Sequence, residues 1–296
     1  MDFDAWNLEG YYQEKSWEIE DVTEIKLIEN GPVRTGIQIT RNFLHSTIEQ
    51  IIFWYADIDR MDFSTKIDWK EKQLFLKAGF PVEINSDKAV YDIQFGNVER
   101  PTHWNTSWDL ARFEVCAHKW ADLSEGGYGV ALLNDCKYGY DIKDSVMRIS
   151  LLKSGIYPNP DADKEVHEFT YSLYPHAGNF KDGKVDQMGY RINCPVYTVF
   201  SNPHDGNLPG EMSLVSIDCE NVFLDTVKKS EDGEGYIIRL YENHNKHSQV
   251  HCTFYKNIKR VEECDLLENK VSEVNGKKNQ FDFHIKPFEI KTFKII

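Results

Sequence analysis

The chain has 296 residues, long enough for one large domain or two of ordinary size. Its 48 acidic side chains outnumber its 34 Lys and Arg side chains and give a net charge of −14, which excludes nucleic acid and anionic membranes as partners because both select basic patches. Hydrophobic residues at 41% exclude wholesale disorder, and the abundance of Tyr (15) and Phe (17) favours β-structure.

The N-terminal sequence and the cysteines indicate the compartment in which we expect the chain to work. The opening residues MDFDAWNLEG are acidic and contain neither the basic nor the apolar region of a secretory signal. The longest strongly apolar stretch, residues 51–56, is too short to span a bilayer. The six cysteines stand singly, with no C-x-x-C pair, as is typical of reduced thiols. We therefore expect a soluble, cytoplasmic protein.

Alternation of apolar and polar residues dominates the chain and predicts strands with one buried face. The clearest runs in the first two-thirds of the chain are residues 37–41, 61–69, 89–95 and 146–151. Turn signals separate such runs about every ten residues. This spacing predicts antiparallel sheets packed as a sandwich, rather than alternating strands and helices.

One helix is predicted near residues 184–192, where Val185, Met188 and Ile192 share a face at helical spacing. A stretch rich in Pro, Gly and Asn follows at residues 201–210 and indicates a long turn or linker. The chain after this stretch is long enough for a small sandwich domain.

We therefore predict a β-supersandwich domain at residues 1–203 and a C-terminal β-sandwich domain at residues 204–296. The strands predicted in the second domain are residues 212–217, 222–228, 236–241, 249–254, 280–285 and 289–295. The fold class is all-β, with a large antiparallel supersandwich followed by a smaller β-sandwich.

The segment with the most chemistry is residues 95–125, where a polar and aromatic loop precedes the next strand pattern. Trp rings beside amide and carboxylate groups suit sugar recognition, because a pyranose offers apolar C–H faces and a rim of hydroxyls. The candidate substrate-binding residues are His103, Trp104, Asn105, Trp108 and Asp109. The alternative interpretation is a long ordered connection whose Trp residues cover the edge of the sandwich.

Other motifs favour structural interpretations. Residues 178–184 have the G-x-x-x-x-G-K spacing of a phosphate-binding loop, but Val185 stands where a Ser or Thr hydroxyl must reach Mg²⁺, so a polar turn before a helix is favoured. His244, His247 and His251 have the spacing of a helical zinc face, but neighbouring Asn residues mark a hairpin loop.

Glycoside cleavage requires two facing carboxylates, and the sequence offers several pairs without indicating which of them face each other. The pairs are Asp57 with Asp59, Asp109 with Glu114, and Asp122 with Glu125. Solvated strand faces and turns account for most of them.

Residues 98–142, VERPTHWNTSWDLARFEVCAHKWADLSEGGYGVALLNDCKYGYDI, resemble the C-terminal part of glycoside hydrolase family 38, the α-mannosidases, in its cytosolic and bacterial subgroup. Similar sequences occur at the start (FDAWNLEGYYQEK) and at residues 67–84, 167–176 and 287–296, so the resemblance covers essentially the whole chain. It implies a galactose mutarotase-like supersandwich followed by a smaller sandwich, in agreement with the strand patterns.

The resemblance also implies an enzyme that hydrolyses non-reducing α-mannosyl residues with retention and uses a divalent metal, usually zinc. In the family, the metal ligands and the aspartate nucleophile lie in an N-terminal α/β barrel, which a three-helix bundle follows. Neither module is present in these 296 residues, so no catalytic residue, metal ligand or cofactor is assigned to this chain.

We therefore expect a fragment that supports the catalytic barrel and shapes the substrate pocket, and that is inactive alone. Its expected partners are an α-mannoside oligosaccharide, the enzyme's own barrel and helical bundle, and a second copy through an exposed apolar face. The alternatives are a stand-alone carbohydrate-binding module and an aldose-epimerase-like protein, which requires a His/Glu acid–base pair on the concave sheet face.

Overall fold

The protein is described here by a computed structural model that covers residues 4–296. Its contacts divide it into two units. The first contains Val98–Tyr197 and the described residues up to Ile93, and the second contains Gln94–Asn97 and Thr198–Ile296. Among residues 4–296, no helix is both long and apolar enough to cross a membrane.

The first unit is built from strands, one 3₁₀ helix (Gly10–Glu14) and two α-helices, Ser107–Leu110 (α1) and Val185–Asn193 (α2). Its strands are Val22–Asn30 (β1), Arg34–Phe43 (β2), Ser46–Tyr55 (β3), Met61–Asp68 (β4), Phe75–Pro81 (β5), Lys88–Ile93 (β6), Gly96–Pro101 (β7), Val115–Cys116 (β8), Trp120–Ser124 (β9), Tyr128–Asn134 (β10), Gly139–Lys143 (β11), Val146–Lys153 (β12) and Val166–Ala177 (β13).

The strands of this unit form two sheets that share one core. The larger sheet has the order β1-β2-β3-β4-β13-β10-β9-β6-β7, and the smaller has the order β5-β12-β11-β8. Side chains that alternate along each strand meet between the sheets, among them the fully buried Ile67, Tyr140 and Ile149. Period-two alternation therefore does produce a sandwich, because each strand contributes one apolar face to this core.

Helix α2 packs on the other face of the nine-stranded sheet. Trp120, Ala131 and Leu133 point away from the main core and form a second cluster with Val185 and Met188 of the helix. Gly189 lies against Trp120, because a Cβ at Gly189 would stand 2.9 Å from that ring. The nine-stranded sheet is thus covered on both faces at its centre.

The second unit is a smaller sandwich of two antiparallel sheets. Its strands are Val215–Ile217 (β14), Val222–Lys229 (β15), Tyr236–Glu242 (β16), Ser248–Phe254 (β17), Val261–Cys264 (β18), Lys270–Val274 (β19), Gly276–Lys277 (β20), Gln280–Ile285 (β21) and Ile290–Ile295 (β22). The sheet orders are β14-β17-β21-β20 and β15-β16-β22-β18-β19. Phe281, Phe283 and Phe293 lie at the centre of the shared core, with ring centroids 4.7–5.7 Å apart.

The all-β prediction, a supersandwich with a smaller β-sandwich, is confirmed. The predicted helix is present as α2, directly after the turn that the sequence indicated. The strand predicted at residues 89–95 ends earlier, at Ile93, because Phe95 has a φ of 54° and turns the chain toward β7. The hairpin predicted around His244 is wrong, since β16 and β17 belong to different sheets and the loop crosses between them.

Candidate functional site

The aromatic loop predicted to bind sugar is ordered by its own short helix. Thr106 caps α1: its hydroxyl accepts a hydrogen bond from the Asp109 amide at 3.2 Å, and the Asp109 carboxylate accepts from the Thr106 amide, also at 3.2 Å. The Thr106 hydroxyl also donates to the same carboxylate oxygen at 2.8 Å. This reciprocal capping box satisfies amides that a four-residue helix leaves open. Thr and Asp three residues apart are the sequence signal for it.

The structure brings three of the five predicted residues together. The Nδ1 atom of His103 lies 3.8 Å from the Asp109 carboxylate, and Trp104 lines the same small cleft as Asp109. The ammonium of Lys143 stands 3.6 Å from the centre of the Trp104 ring. One face of this ring is therefore occupied by a cation instead of being free for a sugar.

The other two predicted residues project into solvent. Trp108 is 76% exposed on α1, and Asn105 is exposed immediately before the helix. Trp108 therefore presents a large aromatic ring to solvent on an ordered loop. Among the predicted residues, Trp108 has the ring face best placed for stacking.

The cleft beside the loop is too small to hold a sugar in this chain alone. It is lined by Trp104, Asp109, Arg112 and Lys143, together with residues of β7, β8 and the sheet below. Its volume is about 10 Å³, the space of a single water molecule. The loop therefore offers side chains for recognition, but it does not enclose a ligand by itself.

A buried ionic network fixes the C-terminal end of the loop. Glu114 accepts hydrogen bonds from the ammonium of Lys77, from the Tyr12 hydroxyl at 2.5 Å and from the Ser150 hydroxyl at 3.3 Å. Lys77 also pairs with Asp141. Burial raises the pKa of Glu114, and this effect exceeds the opposing influence of Lys77.

The sequence singled out Glu114 only as one member of a carboxylate pair with Asp109. In the structure the two carboxylates have different partners: Asp109 caps α1, whereas Glu114 belongs to the Lys77 network. The surroundings of Glu114 come from residues distant in sequence, which no local pattern indicates.

A second buried pair lies on the nine-stranded sheet and was not predicted. The Nε2 atom of His176 on β13 is 2.7 Å from the Asp122 carboxylate on β9, and Ser124 donates to the other oxygen at 2.9 Å. The two paired side chains are 1% and 0% exposed. Gly129 and Gly183 press on the imidazole, since a Cβ at either position would lie within 2.4 Å of it.

The His176–Asp122 pair gives no support to an epimerase-like activity, because a catalytic acid or base must reach its substrate. The imidazole side chain is only 1% exposed and is bonded to a fully buried carboxylate, although His176 borders the groove beside α2. The pair instead joins β13 to β9 across β10, as a satisfied polar group in the sheet.

The structure offers no metal site in residues 4–296, where no group of three or more His, Cys, Asp or Glu side chains is close enough to hold an ion. His251, considered above for zinc, pairs instead with Asp282 at 2.5 Å. No chemical step is therefore assigned to a metal in residues 4–296.

Comparison with known proteins agrees with this architecture. The profile described as "Glycosyl hydrolases family 38 C-terminal domain" matches residues 1–161. A second profile, "Glycosyl hydrolases family 38 C-terminal beta sandwich domain", matches residues 221–293. The two matched stretches lie in the large and the small sandwich, respectively, apart from the few residues near 94–97.

Curated relatives match almost the whole chain. "Alpha-mannosidase G" of Dictyostelium discoideum is 39% identical over 99% of this chain, which spans 28% of that protein. "Alpha-mannosidase 2C1" of Homo sapiens is 36% identical over 99% of this chain, which spans 29% of that protein. The chain thus corresponds to less than a third of the length of these relatives.

A solved structure of an α-mannosidase from Enterococcus faecalis V583 has the same fold, with a TM-score of 0.80 over 94% of this chain and 35% of that one, at 17% identity. With the profile that matches more than half of the chain, the assignment is secure. This chain belongs to glycosyl hydrolase family 38 and consists of the C-terminal β domains of that family of α-mannosidases.

Proposed function

We infer that this chain works as the C-terminal β region of an α-mannosidase that hydrolyses non-reducing α-mannosyl residues with retention. The observation that carries this proposal is the match of 99% of the chain to under a third of each α-mannosidase relative named above. The catalytic centre is supplied by the additional region that these relatives have. In this proposal the chain supports that region and is inactive alone.

The loop that contains α1 contributes to the substrate pocket of the assembled enzyme. Three features support this role: the exposed ring of Trp108, the ordering of the loop by Thr106 and Asp109, and the anchoring of its end by Glu114. Since the adjoining cleft holds about 10 Å³, the loop acts as one wall of a pocket that another region completes.

The remaining partners follow from the same proposal. The substrate is an α-mannoside oligosaccharide, and the divalent metal, zinc by resemblance, is bound outside this chain. The protein partners are the catalytic barrel and helical bundle of the enzyme, and a second copy of the chain. A cytoplasmic location is supported by the six cysteines, which are all free thiols.

The test of the loop's role uses the full-length enzyme that contains this region. Trp108→Ala removes an exposed stacking surface, and we expect a rise in KM for an α-mannoside of about tenfold, the size of one lost aromatic contact. The matched control is Trp17→Ala, which removes an equally large ring that is 55% exposed outside the loop. Equal kinetic constants for Trp108→Ala and the parent, with equal thermal stability, would overturn the role of the loop.

The test of the division of labour uses the 296-residue chain alone. We expect no hydrolysis of an aryl α-mannoside with or without added zinc, because no group of three or more possible metal ligands is assembled in residues 4–296. Turnover by this chain at a rate comparable to that of a complete α-mannosidase would show that the proposal is wrong.

A further inference from the structure

We propose that a groove between α2 and the end of β13 binds one neutral hexose, at a site separate from the α1 loop. The groove has a volume of about 280 Å³. Its main lining residues are Tyr174, Asp182, Lys184, Gln187, Met188 and Arg191. This inference goes beyond the proposed function, since it concerns a groove that shares no lining residue with the cleft at the α1 loop.

The helix presents one continuous face to this groove. Gln187, Met188 and Arg191 are spaced at i, i+1 and i+4, so they lie on one side of the helix, and Lys184 immediately precedes the first helical residue. Met188 is 8% exposed and belongs to the cluster that holds the helix on the sheet. On this side the groove therefore has an apolar floor at Met188 and a polar rim at Gln187 and Arg191.

The opposite wall is equally fixed. The Tyr174 hydroxyl donates a hydrogen bond to the Gly183 carbonyl at 3.0 Å, which ties β13 to the turn before α2. The Tyr174 ring lies 5.7 Å from the His176 ring, which Asp122 holds from below. A wall whose side chains are already held loses little conformational entropy on binding a ligand.

The balanced charges around the groove favour a neutral ligand. Asp59 and Asp182 contribute two carboxylates, and Lys184 and Arg191 contribute two cations, so the formal charge of these four groups is 2 − 2 = 0. An anionic ligand would be repelled by the two carboxylates, and a cationic ligand would be repelled by the two cations. A ligand with many hydroxyl groups can donate to the carboxylates and accept from the cations and from Gln187.

The shape of the groove identifies the size of this ligand. Pockets for drug-sized molecules begin at about 300 Å³, and this groove is slightly smaller, which suits one monosaccharide rather than a chain of several. The Tyr174 ring and Met188 offer apolar surface to the C–H face of a pyranose. The cleft at the α1 loop, with about 10 Å³, has no such space.

The experiment titrates the 296-residue chain with methyl α-D-mannopyranoside and follows the ligand by saturation-transfer NMR and the protein by calorimetry. We expect saturable binding with a dissociation constant on the order of 1 mM, typical of one small neutral ligand. The double variant Gln187→Ala, Arg191→Ala is expected to weaken binding at least about tenfold, because each replacement removes hydrogen bonds to the sugar.

Lys181→Ala is the matched control, since Lys181 is an exposed cation of the preceding turn and does not line the groove. It should bind like the parent chain. Thermal unfolding of each variant establishes that the fold is retained, as expected for replacements at partly exposed positions.

Three outcomes would overturn the proposal. They are no saturable binding of the methyl mannoside, unchanged binding in the double variant, and tighter binding of mannose 6-phosphate than of the neutral sugar. Loss of binding in Trp108→Ala instead of in the groove variants would place the sugar at the α1 loop. The proposed hexose site in the groove would then be wrong, whereas the proposed role of the α1 loop would be retained.

Discussion

The α1 loop and the α2 groove belong to the same unit, yet they contain opposite halves of what a binding site needs. The loop has exposed recognition chemistry in Trp108 but only about 10 Å³ of adjoining space. The groove has about 280 Å³ of space, with the rings of Tyr174 and His176 along its wall. This difference shows that an aromatic-rich sequence can indicate exposed side chains able to contact a ligand. The volume of a cavity instead depends on how elements distant in sequence pack together.

The two regions also differ in what holds them. Hydrogen bonds between residues three apart in sequence order α1 within the loop, and the end of the loop, at Glu114, is bonded to distant residues. The groove wall depends on His176 and Asp122, which are 54 residues apart in sequence. We therefore expect damage to the groove's support to weaken the whole unit, and damage to the loop's cap to remain local.

The largest expected effect is at His176. Replacement by Ala leaves the fully buried Asp122 carboxylate without its imidazole partner, and we expect the free energy of unfolding of this unit to fall by about 3–5 kcal/mol. Urea denaturation of the isolated chain measures this change. His103→Ala is the matched control, because His103 sits on the loop with a 38% exposed side chain, and it should change stability little.

If His176→Ala does not fold, His176→Gln can be measured in its place. Gln keeps a hydrogen-bond donor near Asp122, so we expect a smaller decrease in the free energy of unfolding. A change below about 1 kcal/mol for His176→Ala would contradict the distinction, since it would mean that the groove wall is not held by this pair.

The sequence predicts the parts of the fold that depend on local pattern. The alternation of residues 61–69 and 146–151 predicts strands that the structure contains, and the apolar spacing of Val185 and Met188 predicts α2. It misses β18, Val261–Cys264, because two adjacent glutamates interrupt the alternation. Glu262 is nevertheless buried there, paired with Arg260 and Lys270.

The same limit applies to the candidate sites. The loop residues are adjacent in sequence, so the sequence brings them to notice, although only contacts from β11 reveal that Lys143 covers Trp104. The groove joins a helix, the end of a strand and a distant loop. Asp182 and Lys184 belong to the G-x-x-x-x-G-K stretch that the sequence predicts as a polar turn, whereas Asp59, Gln187 and Arg191 form no motif. The predicted sugar-binding role of His103, Trp104, Asn105, Trp108 and Asp109 stays a prediction.

A smaller effect is expected at the cap of α1. Thr106→Ala removes both hydroxyl hydrogen bonds to Asp109, and we expect a loss of about 1 kcal/mol, confined to the loop. Hydrogen exchange of the amides in α1 measures the local opening. Thr106→Ser keeps the hydroxyl and should leave exchange nearly unchanged. Faster exchange in α2 as well as in α1 would show that the two regions are not independent.

The smallest expected effect is a change in pH dependence at Glu114, the anchor of the loop. Because burial raises the pKa of this carboxyl above its ordinary value of 4.5, the folded state keeps the proton to higher pH than the unfolded state does. The stability that this group contributes is therefore present below the ordinary pKa and is lost as the pH rises through the folded-state pKa. Glu114→Gln removes this loss.

Thermal unfolding of parent and variant from acid to neutral pH measures the difference, and Glu114→Gln should gain stability relative to the parent as the pH rises. Tyr12→Phe provides a second comparison. Because the Tyr12 hydrogen bond lowers the pKa of Glu114, its removal should raise that pKa further, and the stability of Tyr12→Phe should fall more with rising pH than that of the parent. Parallel curves for all three proteins would mean that Glu114 titrates as it does in the unfolded chain. The end of the loop would then be held by packing, with no contribution from the Glu114 charge. The loop and the groove would no longer differ in having Glu114 and the His176–Asp122 pair, respectively, as their buried anchors.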